Sequence, residues 1–169
     1  MEAIVYCSQT GHTAQYARLL SQATGLPAYD FREAQSAVPK GAAILFLNWV
    51  MAGGLRSCGA ASKRWRVAAV VAVGMTPPEQ VQPENFRQRH KFPSSLPLFY
   101  LRGGYAPEKL KGFHRLLMNV MAKEEIGKLA SKSDRTPTDE ETLRMWRDGA
   151  DFVRAENLLG LLDWYQETV

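Results

Sequence analysis

The fold is set by the stretch Ala3-Ile4-Val5-Tyr6-Cys7-Ser8-Gln9-Thr10-Gly11-His12-Thr13 near the amino terminus. Its first five residues are apolar, β-branched or aromatic, which predicts a buried strand. Its remaining residues are mostly polar, with one glycine. From Thr13 onward the apolar residues recur at the spacing of one helical face, at Tyr16, Leu19, Leu20 and Ala23. A strand, a short polar loop and a helix are therefore predicted in succession.

The same alternation continues along the chain. Further strands are predicted at 28–31, 42–47, 67–73 and 96–101, and helical patterns occur between or after several of them. Strands that are buried on both faces and alternate with helices are typical of a parallel sheet covered by helices on each side. We therefore predict an α/β fold with a doubly wound, five-stranded parallel sheet of order 2-1-3-4-5. Ligands of such sheets bind outside the carboxyl ends of the strands, where the strand order reverses.

The chain is predicted to form a single domain over residues 1–169, in which residues 131–169 form a C-terminal helical extension packed on the rest. Residues 131–137 are polar and predict a connection. Thr138 and Glu141 have the spacing of a capping box, which predicts the start of a helix. Leucines 158, 161 and 162 together with Tyr165 mark a last helix.

Composition excludes several classes of protein. The 169 residues are 46% hydrophobic and 22% charged, which is ordinary for a globular domain and excludes collagen-like and low-complexity chains. The amino terminus lacks the pattern of a secretory signal. The longest apolar stretch, residues 42–55, is too short to span a bilayer. Two cysteines cannot form a disulfide framework, so we expect a cytoplasmic protein with reduced thiols, a buried Cys7 and an exposed Cys58.

Charge is distributed unevenly along the chain. Residues 55–115 carry eleven basic and three acidic groups, whereas residues 116–169 carry seven basic and eleven acidic groups. The net charge of the whole chain is +4. A basic central region suits nucleic acid, an anionic membrane surface or an acidic small molecule. A solvated surface that carries excess positive charge explains the same pattern equally well.

The loop from Ser8 to Thr13 is the strongest candidate for a binding site. It carries three hydroxyl groups, one glycine and free backbone N–H groups at the predicted N-terminus of a helix, which suits a phosphate dianion. The alternative is a helix cap made by Ser8 or Thr10. The dinucleotide glycine motif is absent from this turn, and the lysine of a P-loop is missing because Ala60 follows Gly59. A monophosphate ligand is therefore favoured.

This loop resembles the [ST]-x-T-G-x-T phosphate loop of flavodoxins, and by order of elements the resemblance covers residues 1 to about 125. The resemblance implies FMN as the cofactor, with its phosphate on Ser8, Gln9, Thr10, Gly11, His12 and Thr13. It implies that the flavin ring lies between a second loop, made of Asn48, Trp49, Val50, Met51, Ala52 and Gly53, and a third loop, made of Gly74, Met75 and Thr76. An indole can stack on a flavin face, although Trp49 can equally fill the edge of the core.

Three functions are weighed. The basic central region differs from the acidic surface of electron-carrier flavodoxins, and the chain looks more like the branch that includes menaquinone-dependent protoporphyrinogen dehydrogenases. The favoured hypothesis is an FMN-dependent oxidoreductase acting on a small organic or quinone-type substrate. The first alternative is a non-enzymatic electron-transfer flavodoxin. The second is a flavodoxin fold that has lost FMN and serves as a binding module, with nucleic-acid binding at 63–66 or 87–91 as one version.

Catalytic and metal-binding residues are not identified by the sequence. It contains no Ser/His/Asp arrangement and no closely spaced Cys/His set, so no metal is expected and no general acid or base is assigned. His12 is read either as a phosphate ligand or as a solvent-facing spacer. The expected partner is a small molecule or a redox protein rather than a nucleic acid. Peripheral membrane contact and a homodimer are left open, and no transmembrane segment is expected.

Overall fold

A computed structural model describes residues 1–168 of the chain. These residues form two compact units. The first unit comprises residues 1–103 and the segment from residue 153 onward, and the second comprises residues 104–152. The residues 131–169, which the sequence analysis groups as one C-terminal extension, are thus divided between the two units.

A mostly parallel sheet forms the centre of the first unit. Its strands are β1 (Ala3–Cys7), β2 (Ala28–Asp30), β3 (Ala43–Met51), β4 (Gly54–Leu55), β5 (Arg66–Gly74) and β6 (Leu98–Arg102). The order is β2-β1-β3-β5-β6, with parallel pairing throughout, and β4 pairs antiparallel with the end of β3. The predicted α/β class and mostly parallel sheet are confirmed. The prediction of five strands is wrong, because β4 adds a sixth.

The extra strand exists because β3 is longer than the sequence predicts. Residues 48–51, expected to lie in a loop, continue the strand, and the chain then reverses at Ala52 and Gly53. Both of these residues have positive φ, 47° and 71°. A two-residue turn with positive φ at both positions matches the right-handed twist of a hairpin. It therefore brings Leu55 opposite Val50 and creates β4.

The α-helices of the described residues are α1 (His12–Thr24), α2 (Phe31–Ala37), α3 (Cys58–Arg64), α4 (Pro83–His90), α5 (Gly112–Ser131), α6 (Pro137–Asp148) and α7 (Leu159–Thr168). Helix α2 is not among the predicted elements. It forms because the Asp30 carboxylate accepts a hydrogen bond of 3.0 Å from the backbone N–H of Arg32, with Glu33 in the first turn. Such a cap satisfies one of the free donors at a helix start.

Two apolar cores lie on opposite faces of the sheet, because successive side chains of a strand point to opposite sides. One core contains side chains of α1 and α7 together with alternate residues of the strands, among them Ile4, Leu45, Leu47, Val71, Tyr16, Leu20 and Leu161. The other contains side chains of α2, α3 and α4, among them Val5, Ile44, Phe46, Val70, Ala34, Ala61 and Phe86. The sheet is thus covered by helices on both faces.

The second unit is a helical hairpin with a small two-stranded sheet. Its helices α5 and α6 pack on each other, and β7 (Gly104–Tyr105) pairs antiparallel with β8 (Ala150–Asp151). The rings of Tyr105 and Trp146 lie 5.1 Å apart between centroids and are both buried. Gly149 is required at its position, since its φ is 79° and a Cβ there would lie 2.9 Å from the carbonyl oxygen of Tyr105.

The start of α6 corrects the predicted capping box. Thr136, not Thr138, is the cap: its hydroxyl accepts from the backbone N–H of Asp139, and the Asp139 carboxylate accepts from the backbone N–H of Thr136. Both threonines have an acidic residue three positions later. Pro137 decides between them, because its fixed φ suits the first helical position and it has no N–H that needs a partner there.

The assignment of the cap to Thr136 predicts different effects for substitutions of the two threonines. Thr136→Ala removes the cap and should destabilise α6 by about 1 kcal/mol, whereas Thr138→Ala should cost little because it lies inside the helix. Native-state hydrogen exchange of the α6 amides measures both changes.

Hydrogen bonds from Lys132 and from Thr136 lower the pKa of Asp139 to about 2. The stabilisation from this carboxylate should be present above pH 4 and lost as the pH falls toward 2. Equal effects of the two substitutions would contradict this assignment of the cap.

Candidate functional site

The carboxyl ends of β1, β2 and β3 surround a cavity in the first unit. Its volume is about 350 Å³, and it is lined by Cys7, Ser8, Asp30, Phe31, Arg32, Trp49 and Ser57. Ser8 and Trp49 are the predicted site residues among these. Cys7 was expected in the core, and the other four were not predicted as site residues. Asp30, Phe31 and Arg32 reach the cavity because β2 pairs with β1. Ser57 reaches it because the chain returns past the end of β3 after β4.

The β1–α1 loop presents backbone donors to a single oxygen. The hydroxyl oxygen of Ser8 accepts hydrogen bonds from the backbone N–H groups of Gly11, at 3.2 Å, and Ala14, at 3.3 Å. Gly11 makes this possible with a φ of 102°. The first turn of α1 contains no acidic residue, so no side chain of that turn offsets its partial positive charge. The N-cap residue is Gly11, not Ser8 or Thr10 as the alternative drawn from the sequence supposed. Ser8 instead satisfies two N–H groups of the loop and first turn from three positions before the cap.

His12 and Thr13 are both buried. The ring nitrogen Nδ1 of His12 lies 3.1 Å from the hydroxyl oxygen of Thr10, so Thr10 interacts with a side chain rather than capping the helix. The reading of His12 as a solvent-facing spacer is wrong, because the Cβ of His12 packs beside Gly103: a Cβ added to that glycine would lie 3.2 Å from it.

Asn48 is the first residue of the second predicted loop of the site and holds a neighbouring turn in place. It is fully buried in β3, and its side-chain N–H donates to the carbonyl oxygen of Arg56. Its Oδ1 atom is buried and has no hydrogen-bond partner within residues 1–168. The bond to Arg56 holds the turn that contains Ser57, whose φ is 57°, against the end of β3. Trp49, the next residue, is half-buried and lines the cavity.

The tip of the β3–β4 hairpin is anchored by α4. The Arg89 guanidinium donates to the carbonyl oxygen of Ala52 at 2.9 Å and lies against Gly53 and Gly54. The ring nitrogen Nε2 of His90 accepts a 2.8 Å hydrogen bond from the backbone N–H of Leu55. Part of the basic run 87–91 is therefore engaged in holding this hairpin.

The third predicted segment, Gly74 to Thr76, is bonded to β6 and lines no part of the cavity described above. The Tyr100 hydroxyl donates to the carbonyl oxygen of Thr76 at 2.8 Å, and Arg102 donates to that of Met75 at 3.4 Å. Burial raises the pKa of Tyr100 to about 12, so this hydroxyl stays a donor. A Cβ at Gly74 would lie 2.6 Å from the Tyr100 oxygen, so a larger residue there would displace the Tyr100 ring.

The two cysteines lie near each other at the cavity end of β1 and the start of α3. Burial raises the pKa of each thiol to about 11, and the charge of Cys7 contributes to the shift at Cys58. The expectation of an exposed Cys58 is wrong: α3 turns this side chain into the core that contains Phe46 and Trp65. No group of three or more His, Cys, Asp or Glu residues that could hold a metal ion occurs within residues 1–168.

Comparisons with protein-family models, curated proteins and solved structures give no significant match to this chain. The site combines the Ser8 hydroxyl at a helix N-terminus, a half-buried indole, one acidic residue and one basic residue around a cavity at the end of a parallel sheet.

The raised pKa values of the two thiols predict that both cysteines are alkylated slowly. Since only the thiolate attacks, a pKa near 11 should slow alkylation by iodoacetamide at pH 8 about a hundredfold relative to an ordinary thiol. The variants Cys7→Ala and Cys58→Ala isolate each thiol, and labelling in urea gives the unperturbed rate. Because both pKa values are raised, the associated stabilisation should be present below about pH 8.5 and decrease as the pH rises toward 11. Fast labelling of either native thiol would contradict this description.

His90 predicts an acid sensitivity of the hairpin. Burial, and then the charge of Arg89, lower the pKa of His90. The neutral ring is stabilised in the folded state, so its contribution should be present above about pH 6.5 and lost as the pH falls through the lowered pKa. The protection of the Leu55 amide from hydrogen exchange, measured relative to the intrinsic rate at each pH, should then decrease in acid in the native chain. His90→Phe should already exchange fast at pH 7, and an unchanged Leu55 amide in that variant would contradict the prediction.

Proposed function

We propose that this chain is an FMN-binding, flavodoxin-like oxidoreductase that acts on a small organic or quinone-type substrate. The observation that carries the proposal is the β1–α1 loop, in which the N–H groups of Gly11 and Ala14 fix the Ser8 hydroxyl at the N-terminus of α1, whose first turn holds no acidic residue. An anion at a helix N-terminus is stabilised both by such a donor and by the helix dipole.

The topology supports this position for a ligand. Along the path β2-β1-β3-β5-β6 the strand order reverses between β1 and β3, and ligands of doubly wound sheets bind at that reversal. Ser8 follows β1, and Trp49 lies near the end of β3. The two predicted residues that line the cavity therefore come from the two strands that flank the reversal.

The residues present fit the phosphate and one face of the ring. The loop offers hydroxyl donors to the phosphate. The Ser8 oxygen accepts from the N–H groups of Gly11 and Ala14, which leaves the Ser8 O–H to donate to a phosphate oxygen. Trp49 offers a flat apolar surface, and a cavity of about 350 Å³ falls in the range of small-molecule sites. Because Asp30 also lines the cavity, its carboxylate repels an anionic group placed beside it. The carbonyl oxygens of Met75 and Thr76 already accept bonds from β6.

Bound FMN supplies hydride and electron transfer, chemistry that no side chain provides. The chain's own contribution is binding and orientation. The loop donors hold the phosphate, Trp49 orients the ring by stacking, and Asn48 keeps the Ser57 turn fixed through its bond to Arg56. Asp30 and Arg32 both line the cavity, and at Cys7 the charge of Asp30, which raises the pKa of the thiol, outweighs that of Arg56, which lowers it.

A binding experiment tests the proposal. The purified protein, mixed with FMN and desalted, should retain the visible absorption of flavin. Ser8→Ala should raise the Kd for FMN about tenfold or more, because a hydrogen bond to a charged group contributes about 1.5–3 kcal/mol. The same substitution should leave the Kd for riboflavin, which lacks the phosphate, unchanged. Ser36→Ala, a serine of α2 whose hydroxyl bonds to its own helix, is the matched control and should change neither value.

Three results would count against the proposal. A protein that cannot hold added FMN would end the redox function and leave a binding module. Equal weakening of FMN and riboflavin by Ser8→Ala would show that Ser8 acts only in ordering the loop. Reduction of the bound flavin in two well-separated one-electron steps would indicate an electron carrier, whereas a single two-electron step supports an oxidoreductase.

A further inference from the structure

The backbone of Ser57 has a conformation that suits glycine better than serine. Its φ is 57° and its ψ is 8°, in the left-handed region that glycine adopts without strain. Ser57 is also the N-cap residue of α3, a position at which a serine hydroxyl commonly accepts a hydrogen bond from the helix, but its side chain makes no such bond. The hydroxyl therefore contributes nothing to the start of α3, and the backbone alone would favour glycine.

The side chain of Ser57 lies at the cavity described above. Ser57 lines that cavity together with Cys7 and Trp49. Burial, and then the charge of Asp30, raise the pKa of the Cys7 thiol to about 11, although the neighbouring Ser57 hydroxyl lowers it. The sulfur of Cys7 is therefore uncharged at neutral pH and is only a weak acceptor. The O–H of Ser57 has no strong partner at this thiol, so it is available to a ligand.

The turn that contains Ser57 is held by a second unfavourable feature. Asn48 is fully buried, and its side-chain N–H donates to the carbonyl oxygen of Arg56, the residue before Ser57. The Oδ1 atom of Asn48 has no hydrogen-bond partner within residues 1–168, and a buried acceptor without a partner destabilises a fold. Strained backbone and unpaired polar atoms persist at functional sites, where the surrounding structure overdetermines them. Here both lie beside one cavity.

The charges near Ser57 favour an uncharged ligand group. At the neighbouring Cys7, the charge of Asp30 raises the pKa of the thiol more than the charge of Arg56 lowers it. The electrostatic potential beside Ser57 is therefore negative, which disfavours a phosphate at this point of the cavity. A carbonyl oxygen or a ring nitrogen of a neutral group accepts a hydrogen bond from the hydroxyl without bringing a second negative charge.

We infer that the Ser57 hydroxyl binds FMN by donating to an uncharged acceptor outside the phosphate, and that Asn48 is the positioning residue that keeps it there. This inference rests on the proposed function. It divides the recognition of FMN between two serines: Ser8 binds the phosphate, and Ser57 binds the part of the molecule that FMN shares with riboflavin. It also gives a reason for a serine at a position where glycine would be more stable.

Two substitutions of Ser57 separate its hydroxyl from its backbone. Ser57→Gly and Ser57→Ala both remove the hydroxyl, so each should raise the Kd of the full chain for FMN about fivefold, as expected for one hydrogen bond to an uncharged group. Each should raise the Kd for riboflavin by the same factor, whereas Ser8→Ala raises only the Kd for FMN. Titrations that follow flavin fluorescence measure these values. Ser62→Ala, which removes a hydroxyl bonded within α3, is the matched control and should change neither Kd.

The folding equilibrium of the chain without flavin gives a second readout. Ser57→Gly relieves the left-handed backbone and should shift the equilibrium toward the folded state about threefold, whereas Ser57→Ala keeps the strain and should not. Unfolding in urea measures the shift. Lys91→Gly is the matched control for the backbone, because Lys91 has a φ of 53° and is not among the residues that line the cavity. It should stabilise the chain similarly and leave the Kd for FMN unchanged.

Four outcomes would overturn the inference, and they differ from one another. An unchanged Kd for FMN in Ser57→Gly would do so and leave the proposed function standing. Weaker binding in Ser57→Ala but not in Ser57→Gly would assign the effect to the backbone rather than to the hydroxyl. Weaker binding of FMN but not of riboflavin would place Ser57 at the phosphate. A chain that holds no FMN would overturn the proposed function and this inference with it.

Discussion

The first unit is organised around the burial of β3 on both faces and both edges. It pairs with β1 on one edge and with β5 on the other, so that Phe46 lies between Val5 and Val70 while Leu45 points to the opposite core. A shift of one residue would exchange the two sets of side chains and place each against the wrong helices. The same register brings Asn48 and Trp49 to the level where β1 ends, so the cavity at that edge follows from the packing of the core.

Ser8 links stability and binding at this edge. Its hydroxyl oxygen satisfies two backbone N–H groups that a helix start otherwise leaves to solvent. A hydroxyl that accepts two hydrogen bonds still carries its own hydrogen as a donor. The same side chain can therefore order the loop through its oxygen and bind an anion through its O–H.

The alternation of strands and helices could be predicted from sequence because it depends on local periodicity. The β3–β4 hairpin could not, since its turn places Ala52 at positive φ and alanine gives no signal of that conformation. The short helix α2 did have a signal, an aspartate followed three residues later by Glu33. Within the site, Ser8 and Trp49 follow predicted strands and were identified. Arg32 and Ser57 reach the cavity only through strand pairing and a chain reversal, which are not local properties.

The hydroxyl of Tyr16 has a consequence for how the chain folds. It donates to the carbonyl oxygen of Arg102 at 2.6 Å and lies 2.6 Å from the side-chain amide of Asn157, which is 141 positions away in sequence. Arg102 immediately precedes the inserted helical unit, and Asn157 soon follows it. The Tyr16 hydroxyl of α1 is thus hydrogen-bonded to the chain on both sides of the insertion. The entropy lost in closing a loop grows with its length, and a helical hairpin forms quickly from local contacts. If residues 104–152 fold first, the loop that must still close between Arg102 and Asn157 behaves like a short connection. Helix α7 can then pack on the sheet at a small cost in entropy.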